Sequence, residues 1–168
     1  MDQKRTARLL ILGTALISLT LCGAVRADDR IPIWEDGTWQ LVKRKLPDGT
    51  VLTPPAVQGV STNKNGTNQL IVFWQTPDGK PASISQVFTY RITDTEMSAT
   101  PILTIFDDGS GKPPAYTMGG DSKSVPLTRE GGRVSHQHPL NPPFLVIEGD
   151  HSTATLEGAF VDYWERVR

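Results

Sequence analysis

The chain has 168 residues, a formal net charge of −1 and one cysteine. Its 17 basic residues are scattered rather than gathered in a stripe, which argues against a nucleic-acid-binding protein. A single cysteine excludes disulfides within the chain, and the length suits one domain with an apolar core of its own.

The N-terminal residues have the pattern of an export signal. Three basic residues among the first eight precede an apolar stretch of about a dozen residues, and a small-x-small cleavage site ends at Ala27. That stretch is too short to span a bilayer, which takes about 20 residues. We therefore predict a signal peptide at residues 1–27 and a mature protein that is periplasmic or secreted and not membrane-spanning. Two alternatives are a retained anchor and lipidation at Cys22, although Leu21 is larger than the residue that usually precedes a lipidated cysteine.

The mature part would carry 13 basic residues, 17 acidic residues and no cysteine. Without disulfides, its stability has to come from burial of apolar surface, which a closed sheet provides. Residues 28–36 are predicted to form an N-terminal arm that contains Trp34. The arm has two interpretations: a segment that contacts a partner protein, or a flexible terminus whose tryptophan plugs the base of the fold.

Between the turns, apolar and polar side chains alternate with a period of two. All 13 prolines and 13 of the 15 glycines lie after residue 27, which leaves little room for long helices. The clearest alternation runs from Ser83 to Thr93 and places Ile84, Phe88 and Tyr90 on one face. Nine further segments are predicted as strands: Thr38 to Leu46, Val57 to Asn63, Gln69 to Gln75, Met97 to Phe106, Ser124 to Thr128, Arg133 to His138, Phe144 to Glu148, Ser152 to Glu157 and Phe160 to Val167.

Two Pro-Asp-Gly sequences predict tight turns. In residues 46–49 and 76–79, proline fixes φ at one position and glycine accepts a positive φ at a later one. Residues 107–121 are predicted as a long surface loop, either a disordered insertion or a flap over the mouth of a barrel. Many short strands separated by turns predict an all-β sandwich or barrel with little or no helix.

The two ends of the strand region carry a paired motif. Gly37-Thr38-Trp39 opens the first predicted strand, and Trp164-Glu165-Arg166 lies in the last. A barrel that closes by pairing these strands would bring Arg166 across the Trp39 indole. This combination resembles the calycin superfamily, which includes lipocalins, fatty-acid-binding proteins and bacterial lipocalin-like domains.

The resemblance implies an antiparallel up-and-down β-barrel of about 8–10 strands over residues 37–168. It also implies that Gly37, Trp39 and Arg166 form the structural signature. The chain lacks the helix that follows the last strand in lipocalins and the helix pair that follows the first strand in fatty-acid-binding proteins. It is therefore most similar to the bacterial lipocalin-like domains.

Five aromatic residues are predicted to line the barrel interior. An eight-stranded barrel is just wide enough to be filled by side chains or to hold one small ligand. The pattern leaves both outcomes open, because an inward aromatic side chain is core in the first and pocket wall in the second. These candidate ligand-binding residues are Phe73, Phe88, Tyr90, Phe106 and Phe144.

The three histidines are the candidates for metal binding. His136 and His138 are two residues apart in a predicted strand and would offer two imidazoles on one side, and His151 could supply a third. The alternative is solvated surface, because Pro139 ends the strand and no fourth ligand lies at a typical spacing.

The leading functional hypothesis is an exported, non-enzymatic β-barrel that binds a small apolar or amphipathic molecule in the cell envelope. No nucleophile motif, phosphate loop or dinucleotide fingerprint is present, so we predict no catalytic residue and no cofactor. The first alternative is a periplasmic inhibitor or other protein-interaction module that contacts an envelope protein. The second is a metal-dependent enzyme that uses His136, His138 and His151.

Overall fold

The computed structural model describes residues 36–168. The predicted signal peptide with Cys22, and residues 28–35 of the predicted arm with Trp34, lie outside the described residues.

Residues 36–168 form thirteen β-strands and no helix. This part of the chain therefore contains no helix long and apolar enough to cross a membrane. The strands are β1 (Gly37–Lys45), β2 (Val51–Leu52), β3 (Val57–Lys64), β4 (Thr67–Gln75), β5 (Pro81–Ile92), β6 (Glu96–Asp107), β7 (Ala115–Met118), β8 (Lys123–Pro126), β9 (Thr128–Glu130), β10 (Arg133–Gln137), β11 (Phe144–Glu148), β12 (His151–Leu156) and β13 (Phe160–Arg166).

All thirteen strands belong to one antiparallel sheet. Its order is β7-β6-β5-β4-β3-β1-β13-β12-β11-β10-β9, while β2 pairs with β1 and β8 pairs with β6. The first and last long strands are neighbours, and Trp39 is directly opposite Arg166 in their register. The prediction of an all-β antiparallel fold is confirmed.

Side-chain alternation decides which face of each strand is buried. In β4, Asn68 and Val72 are buried whereas Gln69, Ile71 and Phe73 are exposed, as the period of two requires for a sheet with one covered face. The buried apolar residues of β1, β3, β4, β5, β6, β10, β11, β12 and β13 form a single cluster. Strands far apart in the sheet order therefore share one core, and the sheet is strongly curved around it.

The sheet is not closed into a barrel by its strand order, which has β7 at one end and β9 at the other in the described part of the chain. Strand β8 pairs with β6, β9 pairs with β10, and the one residue between them, Leu127, donates its N–H to Thr95 O at 2.8 Å. The stretch predicted as one strand, Ser124 to Thr128, is thus divided at the point where its pairing partner changes.

The strand count exceeds the predicted 8–10 because short strands escape pattern analysis. Strand β2 has two residues, too few for any periodicity. Strand β7 lies inside the stretch predicted as a loop, residues 107–121, and all four of its residues are exposed. A strand with no buried face has no reason to alternate, so its sequence carries no strand pattern.

The two Pro-Asp-Gly turns form as predicted. Gly49 and Gly79 have φ values of 88° and 79°, and their N–H groups donate to Leu46 O at 3.0 Å and to Thr76 O at 2.8 Å. Both turns lie at the same end of the sheet and border the cavity described next.

Candidate functional site

The concave face of the sheet encloses a cavity of about 910 Å³. Its wall is mainly apolar, with side chains from opposite parts of the sheet order facing one another across the space. Representative wall residues are Leu70, Val72, Ile84, Leu145, Ala154 and Leu156. A volume of this size matches pockets that hold a drug-sized molecule.

One end of the cavity is closed. The residues that line it there are buried: Trp39 is 0 % exposed, Asn63 1 %, Asn68 3 % and Ser152 4 %. They come from the start of β1 and β12, the end of β3 and the start of β4, which meet at one end of the sheet.

The opposite end of the cavity opens to solvent. The lining residues there are exposed side chains of turns and strand ends, namely Asp48, Thr50, Pro77, Phe106 and Pro142. The cavity is therefore a cup with a tryptophan-containing floor and a mouth rimmed by the two Pro-Asp-Gly turns and the loop after β10.

A buried ion pair lies on the cavity wall. Arg44 Nε and Nη2 donate to Asp162 Oδ1 and Oδ2 at 2.6 and 2.7 Å, and both side chains are almost fully buried. The Arg44 guanidinium carbon lies 4.0 Å from the centre of the Phe160 ring and 5.3 Å from that of Trp74. Two-point hydrogen bonding and the aromatic faces together fix the plane of the guanidinium.

Arg44 points inward because β1 contains a bulge. Leu41 pairs with Trp164 and Lys43 pairs with Tyr163, so Val42 is an extra residue in β1. Without it, the alternation set by Trp39 and Leu41 would place Lys43 inward and Arg44 in solvent. The bulge reverses which side chains of β1 face inward, as bulges often do near functional sites.

Burial and pairing act on Asp162 in opposite directions. Removal from water raises the pKa of its carboxyl, and the hydrogen bonds and positive charge of Arg44 oppose that rise. A guanidinium stays protonated at any physiological pH, so two charge-assisted hydrogen bonds favour the carboxylate form at neutral pH.

Polar groups at the floor form a small amide cluster. Asn68 Nδ2 donates to Asn63 Oδ1 at 2.7 Å and to Ser61 Oγ at 2.8 Å. Ser152 Oγ and Trp39 Nε1 are buried and have no hydrogen-bond partner in the described part of the protein. The floor of the cup is thus both aromatic and polar.

The loop after β10 covers one side of the mouth and is held by side chains. Asn141 Nδ2 donates to Gln86 Oε1 at 2.7 Å, and Gln86 Nε2 donates back to Asn141 Oδ1 at 3.3 Å. His138 Nδ1 accepts from the N–H groups of Leu140 and Asn141, both at 3.1 Å. Its ring meets the Phe88 ring edge-on with centres 5.5 Å apart.

The loop geometry requires a neutral His138. Desolvation, with a smaller contribution from nearby His136, lowers the pKa of His138 to about 3. A protonated Nδ1 could not accept the two backbone hydrogen bonds that shape the loop. Burial also lowers the pKa of His136, whose Nδ1 lies 2.9 Å from Gln137 O.

The structure brings Gly37, Trp39 and Arg166 together. The Arg166 guanidinium carbon is 5.8 Å from the centre of the Trp39 ring, and its Nη2 donates to Asp36 O at 3.2 Å. A Cβ at Gly37 would lie 3.0 Å from Arg166 Nη2, so the glycine leaves room for the arginine.

Two of the five predicted lining aromatics, Phe88 and Phe106, face the cavity. Phe73 and Phe144 are about half exposed on the outer face, and Tyr90 packs against the edge of the core without lining the cavity. Both outward residues lie in nearly continuous apolar runs, where composition alone does not tell which residues face inward.

The three histidines do not meet. His136 is buried in the sheet, His138 lies on the cavity wall, and His151 is exposed at the β11–β12 turn, 3.9 Å from a Glu165 oxygen. In residues 36–168 no three His, Cys, Asp or Glu side chains are grouped so that they could hold a metal ion.

Sequence reasoning missed both members of the ion pair. Asp162 was detectable, because a period of two places it on the same face as Phe160 and Trp164. Arg44 was not, since strict alternation from Trp39 and Leu41 points it outward and nothing in the sequence marks Val42 as a bulge.

No protein-family model matches the chain, and no curated protein or solved structure matches it either.

Proposed function

We propose that this protein binds a small apolar or amphipathic molecule in the cavity. The observation that carries the proposal is the cup itself: about 910 Å³ of mainly apolar space, closed at one end and open at the other. A ligand that fills an apolar space of this size gains dispersion and burial energy, as side chains do in a packed core.

We also propose that the architecture is a lipocalin-like barrel. In this view the segment from β8 through Leu127 to β9 completes the wall, because its first half bonds to β6 and its second half to β10. The proposed setting is the periplasm or the cell exterior, which rests on the export-signal pattern of residues 1–27.

An uncharged apolar dye tests the binding proposal. N-phenyl-1-naphthylamine should gain fluorescence on titration with the protein. The protein's own emission should also change, since Trp39, Trp74 and Trp164 line the cavity. Absence of both changes would contradict the proposal.

A matched pair of variants locates the dye. Leu70→Trp places a large ring in the cavity, whereas Gln69→Trp places the same ring on the outer face of β4. We expect the first to weaken dye binding at least about tenfold, or ~1.4 kcal/mol, and the second to leave it unchanged. Equal affinities for the two variants would place the dye elsewhere.

A further inference from the structure

The ionisable groups of the cavity define the polarity of the ligand that fits it. This inference rests on the proposed function and concerns the same cavity. Among residues 36–168, four ionisable residues line the space: Arg44, Asp48, Asp162 and His138. Their charges and positions decide which polar end an amphipathic ligand can have.

Arg44 retains hydrogen-bond donors for a ligand. A guanidinium carries five N–H groups, and Asp162 accepts from Nε and Nη2. Within residues 36–168 the Arg44 side chain donates hydrogen bonds to Asp162 alone, through Nε and Nη2, and only 6 % of the residue is exposed. Phe160 and Trp74 hold the guanidinium plane in place, so these donors are fixed before a ligand binds.

The charge of Arg44 is already balanced. Asp162 lies within 2.7 Å of two of its nitrogens, His138 is neutral, and Asp48 adds a negative charge at the mouth. The hydrogen bond from Thr50 N–H to Asp48 lowers the pKa of that carboxyl and keeps it ionised. The lining therefore has a net negative charge at neutral pH.

A charged ligand group beside Arg44 would be disfavoured with either sign. A carboxylate there would also lie within a few ångströms of Asp162, and two like charges in a desolvated site repel strongly. A cationic group would meet Arg44 itself. An ester or amide carbonyl accepts a hydrogen bond and brings no charge.

We propose that the cavity selects uncharged amphiphiles whose apolar chain fills the cup and whose ester or amide carbonyl accepts hydrogen bonds from Arg44 Nη1. The carbonyl lies beside the Arg44 guanidinium, next to Phe160 and Trp74, and the chain extends toward the Trp39 floor.

A series of compounds that share a ten-carbon chain tests this selectivity by displacement of N-phenyl-1-naphthylamine. The compounds are methyl decanoate, decanoate, decane and decyltrimethylammonium. We expect methyl decanoate to bind at least about tenfold more tightly than each of the other three. If decanoate binds as tightly as the ester, the inference is overturned. Dye binding would in that case still support the proposed function. Absence of dye binding itself would contradict the proposed function instead.

The variant Asp162→Asn removes the balancing charge and should reverse the preference. Arg44 would then attract an anion, and decanoate should gain at least about tenfold in affinity relative to methyl decanoate. Asp48→Asn is the matched control, because it makes the same change in charge at an exposed residue of the mouth that is not hydrogen-bonded to Arg44. A gain for decanoate in Asp48→Asn equal to that in Asp162→Asn would overturn the inference.

A double variant keeps the test decisive if Asp162→Asn does not fold. Arg44→Met with Asp162→Leu replaces the pair with apolar residues of similar volume, a change that folded proteins often tolerate. The double variant should bind the dye and decane as before and lose the preference for methyl decanoate over decane. A retained preference would show that Arg44 is not the donor.

Discussion

Arg44 and Asp162 place a buried pair of opposite charges in the wall of a mainly apolar cup. A buried ion pair of this kind adds little net stability over an apolar pair, because desolvation of both charges offsets their attraction. Its geometry is nonetheless well fixed by two hydrogen bonds and two aromatic rings. Folding stability alone therefore gives little reason for the pair.

His138 couples the loop at the mouth to pH. Its pKa of about 3 in the folded protein lies well below the ordinary value near 6.5, so the unfolded chain binds the proton more readily. Stability from this group is fully present above pH 6.5 and decreases as pH falls through that value toward 3. Between pH 6.5 and 4.5 we expect a loss of about 2–3 kcal/mol from this group.

Urea denaturation of His138→Asn across that pH range measures the effect. An asparagine oxygen can accept the same two backbone hydrogen bonds without titrating. The variant should lose less stability than the wild type between pH 6.5 and 4.5. The control is His151→Asn, a change at an exposed position, which should give the same pH profile as the wild type. Parallel pH profiles for His138→Asn and the wild type would contradict the assignment of this loss of stability to His138.

At the scale of strands, small irregularities position the large side chains. The bulge at Val42 turns Arg44 into the cavity. In β3, Gly59 lies on the inward face beneath Trp164, and a Cβ there would lie 3.0 Å from the indole, 3.1 Å from Ile71 O and 3.1 Å from Val72 Cγ2. The absent side chain gives the indole its place in the wall.

The substitution Gly59→Ala tests this close approach. The new methyl group would crowd a backbone oxygen of the neighbouring strand, which cannot move without disturbing the pairing of β3 with β4. We expect a loss of about 1–3 kcal/mol in the free energy of unfolding, measured by urea denaturation. Gly132→Ala is the control, since its Cβ would meet open space; equal losses for the two variants would exclude crowding as the cause.

At the scale of the whole molecule, one curved sheet encloses one core. Val72 and Met97 come from one half of the strand order and Val134 and Ala154 from the other, yet all four belong to the same buried cluster. Neither half of the sheet has a separate core, so the two halves should not unfold independently.

Coincident unfolding curves are the expected result. Tryptophan fluorescence reports on β1, β4 and β13, while far-UV circular dichroism reports on all strands, and both should give one midpoint in urea. Val134→Ala, in β10, should lower the free energy of unfolding by about 1–3 kcal/mol and shift both midpoints together. Ile102→Ala, at a residue that is 42 % exposed, should change them little. Separate midpoints in Val134→Ala would indicate two units.

Much of the fold was predictable because one-sided burial imposes a local pattern. The alternation in β5 and the turn chemistry of Gly49 and Gly79 are properties of neighbouring residues, and the structure has both as predicted. The exposed strand β7 and the two-residue β2 were not predictable, because strands this short or this exposed have no alternation to detect.

The candidate site was predictable only in part, for the same reason. Phe88 belongs to a clean alternation and lies on the inner face, whereas Phe73 and Phe144 belong to apolar runs and face outward. The orientation of Arg44 depends on how β1 registers with β13, which is a relation between residues more than a hundred positions apart.

The sequence by itself determined that this chain forms antiparallel strands, where most of them begin and end, and which tight turns join them. The strands follow from the alternation of apolar and polar residues, and the turns follow from the backbone preferences of proline and glycine. The tertiary structure decided that the curved sheet leaves a cup beside its packed core, and that Arg44 and Asp162 share the wall of that cup. Both outcomes depend on register and curvature, and these are fixed by contacts between strands that no local pattern encodes.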